Sequence, residues 1–458
     1  MKIDLDIINK EWFEKLMLQF ENEKKINIKS CLVIKNGKMI SSYSKEPYSI
    51  DERNLLFSMT KSFSSLAIGI ASDKGYLELD DKIINIFPDK LPLLVSKHLK
   101  NIKIRDLLVM ASGIHHNTYT ELYHEKDWIK AFLGQEFQHE PGTYYRYSTH
   151  GSHMLSAVIK EKTGYNLLDF LNINLFSPLG IEKPQWEIAP DGYIAGGMGL
   201  SLCAKDIAKI GQLLLDKGLY NGTQVISRNY LDAATSVQII KHSELDKLDR
   251  EILGKEYGYQ FHIDKFGNYR MDGAFGQLCL VLNDYNTVIV VTSTDSKMET
   301  LHKVIYESFE NEFACISNSE VAKLVDSSIF NPNSNWYFFT PLVNGIKEID
   351  VLFDEKHIKI LYHTSCNDEE TELIIQRHSK YTGHTSFVKD IQNHTQKFVS
   401  EIINENESMI QIRVWYVETP YIEDYVLRKD GNKVSMEYDI NVSFTKKSFI
   451  VEAMSITN

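Results

Sequence analysis

The sequence predicts a mixed α and β fold, in which helices cover an antiparallel sheet and carry a helical insertion, followed by an antiparallel β barrel or sandwich. Amphipathic helical patterns dominate up to about residue 215, strand-like runs begin at Tyr257, and helical periodicity almost disappears after residue 336. A chain of 458 residues is also too long for one ordinary core. We therefore predict domains at 1–315 and 336–458, joined by a polar, turn-rich linker at 316–335.

The N-terminal segment predicts a helix followed by a hairpin. A helix over residues 8–22 is indicated by apolar residues that recur four apart, at Ile8, Trp12, Leu16 and Phe20. The run SCLVIKNGKMISSYS then has an apolar strand, the turn pair Asn36-Gly37 and a second short strand.

Several helices follow, and each of their patterns ends in glycine, which adopts left-handed backbone angles at little cost. Their sequences are TKSFSSLAIGIASDKG, IKIRDLLVMASGI, STHGSHMLSAVIKEKTG and SLCAKDIAKIGQLLLDKG. Strands are then predicted in YGYQFHID, YRMDGAFGQLCLVLN and TVIVVTSTD, before a helix around 297–313. The C-terminal domain is predicted from the strand-like runs EIDVLFD, HIKILYH, ETELIIQR, MIQIRVWYVET, KVSMEYDI and SFIVEAM.

Composition limits the classes of partner. A hydrophobic content of 43% with 24% charged residues is typical of a soluble globular protein. The net charge of −12 argues against nucleic acid or an anionic membrane as the main partner. No stretch resembles a signal peptide or membrane span, and the five cysteines are odd in number and widely spaced. We expect a cytoplasmic protein that acts on a small molecule, with its oligomeric state left open.

The candidate chemistry begins with Ser58 and Lys61, which share one helix face because they lie three residues apart. Burial would favour the neutral amine of Lys61, which could then accept the Ser58 proton. The same spacing occurs at Ser42, Ser386 and Ser443, but only Ser58 precedes a long helical pattern. The alternative is structural: Ser58 caps a core helix and Lys61 extends to solvent.

Further segments, in order, are DKIINIFPDK with IKIRDLLVMASGI, then PGTYYRYSTHGSHMLSAVIKEKTG, then DGAFGQLCLVLNDYNTVIVVTS. Together with the Ser58 segment they resemble the serine β-lactamase and penicillin-binding-protein superfamily, in particular its class C-like branch of esterases and D-aminopeptidases. The resemblance covers roughly residues 8–312. It implies a β-lactamase-like fold, with Ser58 as nucleophile and Lys61 as general base.

The second motif of the family places a tyrosine five positions after the glycine of a Pro-Gly pair, and here that tyrosine is Tyr147. From the residues alone, a core aromatic is the favoured interpretation of Tyr147. The resemblance implies instead that Tyr147 shares proton transfer with Lys61. Where the family usually has asparagine, this chain has Thr149, which the resemblance would place against the substrate or the lysine.

The third motif departs from the family. The family's cation, small hydroxyl residue and glycine correspond here to Met271, Asp272 and Gly273. Since the cation is missing, we expect an uncharged or cationic acyl substrate, with Asp272 in contact if it faces the cleft. Gly273 would let substrate approach the strand backbone. The resemblance also implies an oxyanion hole formed by the N–H groups of Ser58 and Ala274.

The function predicted in this way is a serine hydrolase, an esterase or amidase, that works through an acyl-enzyme and requires no metal or organic cofactor. A second hypothesis is a D-amino-acid peptidase or a weak β-lactamase. A third is a catalytically weak protein that binds acyl compounds or a partner. His150 and His153 lack a third ligand at metal-site spacing.

Overall fold

The computed structural model describes residues 7–241, 253–309, 335–340, 343–364 and 370–454. The chain divides into two compact units, Met1–Asn311 and Glu312–Asn458. Residues 316–334 of the predicted linker, and the last residues of the helix predicted at 297–313, lie outside the described residues. Among those described, no helix is both long and apolar enough to span a bilayer.

The helices of the first unit are α1 (Lys10–Asn22), α2 (Thr60–Asp73), α3 (Ile83–Ile86), α4 (Ile104–Leu108), α5 (Tyr119–Tyr123), α6 (Trp128–Leu133), α7 (Thr149–Thr163), α8 (Leu167–Leu171), α9 (Ala204–Leu215), α10 (Arg228–Ala234) and α11 (Met298–Glu307). Its strands are β1 (Ile28–Lys35), β2 (Lys38–Ser44), β3 (Arg53–Leu55), β4 (Gln185–Trp186), β5 (Leu200–Cys203), β6 (Leu219–Tyr220), β7 (Thr223–Gln224), β8 (Ile239–Ile240), β9 (Glu256–Tyr257), β10 (His262–Ile263), β11 (Tyr269–Gly273), β12 (Gln277–Leu282) and β13 (Thr287–Ser293).

The main sheet is antiparallel, with the strand order β2-β1-β13-β12-β11-β10-β9-β8. Alternate residues of β12 serve opposite faces: Leu278 and Leu280 pack with α1 and α11, whereas Cys279 and Val281 join the core that contains α2, α7 and α9. Both faces are therefore buried, which explains why the central strands are continuously apolar. This β-lactamase-like arrangement confirms the predicted fold class.

The hairpin and most of the predicted helices are confirmed. Asn36 and Gly37 join β1 to β2 with φ angles of 52° and 73°, as a tight hairpin turn requires. Gly164 ends α7 with a φ of 79°.

The helix predicted to run to Gly113 was too long, because α4 ends at Leu108. Met110 takes a left-handed φ of 59°, and its carbonyl accepts a hydrogen bond from the Arg146 amide at 2.7 Å. The backbone beyond Leu108 is thus committed to a distant segment, a contact that local periodicity cannot reveal.

Two of the predicted strands are each divided in two. YGYQFHID contains β9 and β10, separated at Gln260, which has a φ of 64°. YRMDGAFGQLCLVLN contains β11 and β12, which turn at Phe275 and Gly276 with φ angles of 63° and 86°. The second turn leaves Ala274 directly after β11, at the end of that strand.

The second unit is all β in its described part. Its strands are β14 (Asn335–Phe339), β15 (Ile346–Phe353), β16 (His357–Thr364), β17 (Glu370–Gln376), β18 (Tyr381–Val388), β19 (Asn393–Asn406), β20 (Met409–Tyr416), β21 (Ile422–Asp430), β22 (Lys433–Ile440) and β23 (Phe449–Met454). They form the antiparallel sheets β14-β15-β16-β17 and β18-β19-β20-β21-β22-β23. β17 lies beside β18, and β14 beside β23, so the sheets adjoin at both edges as in a barrel. The pattern missed β14, β18, β19 and β21, and in the last three of these strands most of the exposed residues are polar.

Candidate active site

Ser58 lies in a single 3₁₀ turn, Phe57–Met59, that leads directly into α2. Phe57 holds a left-handed φ of 48°, which is uncommon for an aromatic residue. The Phe57 ring meets that of Phe275 edge to face, with centroids 5.2 Å apart. On the other side, the Leu56 amide donates to the Leu200 carbonyl at 2.8 Å. The turn that presents Ser58 is therefore fixed by tertiary contacts.

Lys61 is buried on the first turn of α2, with a relative exposure of 2%. Its Nζ atom lies 3.1 Å from Ser58 Oγ and 2.7 Å from the carbonyl oxygen of Gly197. The helical spacing thus brings amine and hydroxyl together as predicted, and the alternative in which Lys61 extends to solvent is wrong. Gly197 is a contact that the sequence analysis missed.

Tyr147 is the third side chain at this position, beside Ser58 and Lys61. Its hydroxyl shares a hydrogen bond with Ser58, and Lys61 Nζ lies 4.9 Å from the centre of its ring. Burial raises the pKa of Tyr147 well above its usual range, and the charge of Asp272 adds to this; the Ser58 hydrogen bond opposes it. The phenol therefore stays protonated at neutral pH in the resting protein.

A cavity of about 340 Å³ opens beside this group. Among its lining residues are Ser58, Tyr147, Asp272, Gly273 and Ala274. The volume is at the lower end of the range for small-molecule sites. Three segments that are distant in sequence thus meet around one space large enough for a small substrate.

Gly273 has a packing role that the sequence analysis did not foresee. A Cβ atom at this position would lie 2.2 Å from the carbonyl oxygen of Leu56. Close approach does require glycine here, as expected, but the approaching group is the backbone just before Ser58. This contact holds the end of β11, and with it Ala274, beside the turn that contains Ser58.

Thr149 was predicted to contact the substrate or the lysine, and it does not line the cavity. It begins α7 and is 9% exposed. A Cβ atom on Gly197 would lie 2.7 Å from both Thr149 Cγ2 and the Thr149 carbonyl oxygen. Thr149 therefore packs against Gly197, whose carbonyl oxygen accepts from Lys61.

Asp272 lines the cavity, but its charge is matched. Arg270 Nε donates to Asp272 Oδ2 at 2.9 Å, and Arg270 Nη1 donates to the Leu253 carbonyl at 2.8 Å. The two side chains are 1% and 15% exposed. Met271, between them, packs into the core. Since alternate strand residues share a face, the period-2 rule could have linked Arg270 with Asp272.

Lys241 and His262 also line the cavity and were not predicted from the sequence. Lys241 Nζ lies 3.0 Å from His262 Nδ1. Burial, followed by the charge of Lys241, holds the pKa of His262 far below its usual value. His262 is therefore neutral and accepts from Lys241 at Nδ1. Neither residue belongs to a local motif, so no sequence signal marked them.

The family model described as Beta-lactamase matches residues 14–307. The chain belongs to this family. The matched region includes the Ser58 turn, Tyr147 and the end of β11, which are the segments that meet at the cavity.

The sequence is similar to that of the 6-aminohexanoate-dimer hydrolase of Paenarthrobacter ureafaciens. The two are 20% identical over 221 residues, which is 44% of this chain and 55% of the relative. The match thus spans about half of the relative's length.

Solved structures show the same fold. A family VIII carboxylesterase covers 67% of this chain and 99% of its own, with a TM-score of 0.51 and 16% identity. The octameric penicillin-binding protein homologue from Pyrococcus abyssi covers 97% of this chain and 99% of its own, with a TM-score of 0.50 and 13% identity. The second match includes the C-terminal unit.

The histidines next to Thr149 have structural partners. His153 Nε2 lies 3.0 Å from Asp191 Oδ2, with both side chains almost fully buried. The Trp128 ring meets both His150 and His153 edge to face. Burial first, and then the charges of His153 and Lys61, lower the pKa of His150 to about 3. In the described part of the chain, no group of three or more His, Cys, Asp or Glu side chains is arranged for a metal ion.

Proposed function

We propose that this protein is a serine hydrolase that cleaves small esters or amides through an acyl-enzyme on Ser58. The observation that carries the proposal is the 3.1 Å contact between Lys61 Nζ and Ser58 Oγ, with the Tyr147 hydroxyl also bonded to Ser58. A hydroxyl that meets both an amine and a phenol beside a cavity is arranged for nucleophilic attack.

In the acylation step, Lys61 acts as the neutral amine and takes up the proton that Ser58 loses as Oγ attacks the carbonyl carbon. The Tyr147 phenol takes part as a relay, which releases its own proton as it accepts another. The proton then passes to the leaving alkoxide or amine. In deacylation, water attacks the acyl carbon and the same two residues take its proton, which restores Ser58. Gly197 holds the amine in place through its carbonyl, so Lys61 needs little reorganisation between the steps.

The developing oxyanion would be met by the N–H groups of Ser58 and Ala274, which line the same cavity. Such donors commonly contribute about 3 kcal/mol each to transition-state stabilisation. The packing of Gly273 against Leu56 supports this assignment, because it sets the distance between the two backbone segments.

We further propose an uncharged acyl group. Arg270 offsets Asp272, so the carboxylate gives the cavity no excess negative charge and the case for a cationic substrate weakens. The family cation is replaced by the buried Met271, which removes that carboxylate-binding group from β11. Lys241, which also lines the cavity, is held by its contact with His262. Two similar proteins, a 6-aminohexanoate-dimer hydrolase and a carboxylesterase, support a hydrolase that acts on amides or esters.

A fluorophosphonate label on the full-length protein tests the nucleophile. Covalent capture should occur on Ser58 and disappear in Ser58→Ala. Ser42→Ala is the matched control, since Ser42 and Lys45 have the same spacing without the cavity; this variant should label like the parent. A folded parent protein that takes no label would contradict the hydrolase proposal.

A panel of substrates then shows which type of bond and which charge on the acyl group the protein prefers. We expect neutral p-nitrophenyl esters to exceed the anionic lactam nitrocefin in kcat/KM, with D-alanyl p-nitroanilide as the peptidase probe. Faster turnover of nitrocefin than of every neutral ester would overturn the proposed acyl specificity while leaving Ser58 as the nucleophile.

A further inference from the structure

The C-terminal unit contains a cavity of its own, of about 390 Å³, within the range of small-molecule sites. Its wall includes aromatic residues of several strands, namely Phe387, Tyr416 and Tyr438. Glu423, on β21, also lines this cavity although the residue is only 2% exposed. None of these residues has a part in the proposed hydrolase chemistry.

Tyrosine hydroxyls hold the Glu423 carboxylate in a fixed position. Tyr416 and Tyr425 donate to its Oε2 atom at 2.9 and 2.7 Å, and Tyr438 donates to Oε1 at 2.6 Å. Tyr362 in turn donates to Tyr425. Burial, and then the Glu423 charge, raise the pKa of Tyr416, Tyr425 and Tyr438 far above the usual value, so these phenols remain donors.

In the described part of the chain no cation forms a salt bridge with the Glu423 carboxylate, and its side-chain hydrogen bonds all come from neutral phenols. Lys446, on the wall of the same cavity, is a cation on which the Glu423 charge acts without a direct bond. A carboxylate offers about four acceptor positions, and three are filled, which leaves one on Oε1. A buried carboxylate that no salt bridge compensates is costly, and a cation that bonded to it directly would relieve part of that cost.

The aromatic wall also favours a cation. Phe387 stacks on Tyr416, with ring centroids 4.1 Å apart, and Lys446 Nζ stands 5.1 Å from the centre of the Phe387 ring. Lys446 thus already places an ammonium group at the wall without pairing with Glu423. Burial lowers the pKa of Lys446, with the Glu423 charge opposing the shift, so the ammonium form of this lysine is disfavoured at the wall. A cation that bonds directly to Glu423 would compete with it for the aromatic surface.

We propose that the C-terminal unit binds a small organic cation, a primary amine or guanidinium compound, with its charged group on Glu423 and its carbon chain against Phe387 and Tyr416. Lys446 competes for the same aromatic wall. The site is separate from the Ser58 cavity, and its occupancy does not depend on whether the protein is a hydrolase.

Saturation-transfer NMR on the full-length Ser58→Ala protein tests the proposal with three ligands of equal chain length: butylamine, butan-1-ol and butyrate. Transfer should be strong for butylamine and weak or absent for the other two. Glu423→Gln should weaken butylamine binding at least about tenfold, as expected when an ion pair in a desolvated site is removed. Glu437→Gln, on exposed β22 surface, is the matched control and should bind like the parent.

Lys446→Met distinguishes a cation site on Glu423 from an anion site on Lys446 without disturbing the tyrosine network. Removal of the competing ammonium should tighten butylamine binding. Butyrate binding that is lost in Lys446→Met would show an anion site and overturn the proposal. Equal binding of butylamine by the parent and a folded Glu423→Gln variant, or no binding of butylamine by the folded parent, would also overturn it.

Discussion

Lys61 Nζ lies 2.7 Å from the carbonyl oxygen of Gly197, a residue 136 positions further along the chain. Thr149 packs where a side chain on Gly197 would stand, at 2.7 Å from the position of its Cβ. The Gly197 carbonyl therefore positions the Lys61 amine that contacts Ser58. The carbonyl can lie there only because residue 197 has no side chain, since a Cβ atom would collide with Thr149.

Gly197→Ala is expected to lower kcat/KM for a neutral p-nitrophenyl ester by about tenfold to a hundredfold, because a displaced carbonyl leaves Lys61 misplaced. Gly134→Ala is the control, since its Cβ would come no closer than 3.3 Å to another atom. Ester kinetics and circular dichroism measure the two effects. Unchanged kinetics in a folded Gly197→Ala protein would mean that the carbonyl does not position the amine.

Gly273→Ala should reduce kcat for substrates of every size, by about a hundredfold or more, because the new Cβ would push β11 from Leu56 and misplace the Ala274 N–H. Ester series of increasing acyl length measure this. If the glycine served only to admit bulky substrates, acetyl esters would keep the parental rate and long esters alone would slow.

Arg270→Met is expected to destabilise the protein by about 3 kcal/mol, because it leaves the largely buried Asp272 without its partner. The double variant Arg270→Met with Asp272→Asn should recover part of that loss. Urea unfolding of the single and double variants supplies the cycle. Strictly additive losses would show that the pair is not coupled.

His150 should make stability fall in acid. Its folded pKa is lowered to about 3, below the usual value of about 6.5 expected in the unfolded chain. The unfolded state alone therefore binds this proton between those values, so stability present above pH 6.5 is lost as pH falls toward 3. His150→Leu should flatten the dependence of unfolding free energy on pH in that window. His116→Leu, at an exposed position, should leave the slope unchanged.

Local sequence rules located the main elements of the site but not their partners. Helical spacing joined Ser58 to Lys61, and motif order brought in Tyr147 and the end of β11. The same rules could not find Gly197, Lys241 or His262, because these residues reach the cavity through folding of distant segments. The packing of Thr149 against Gly197 was missed for the same reason, and its contact with substrate or lysine stays a prediction.

The sequence by itself determined the class of fold, the spacing that brings Ser58 to Lys61 and the change to an all-β C-terminal unit. These depend on hydrophobic period and on short-range spacing, which are properties of neighbouring residues. Only the tertiary structure decided the charge at each cavity. The matching of Asp272 by Arg270, and the absence of such a match for Glu423 in the described chain, depend on which side chains meet after folding, when burial makes each unpaired charge costly.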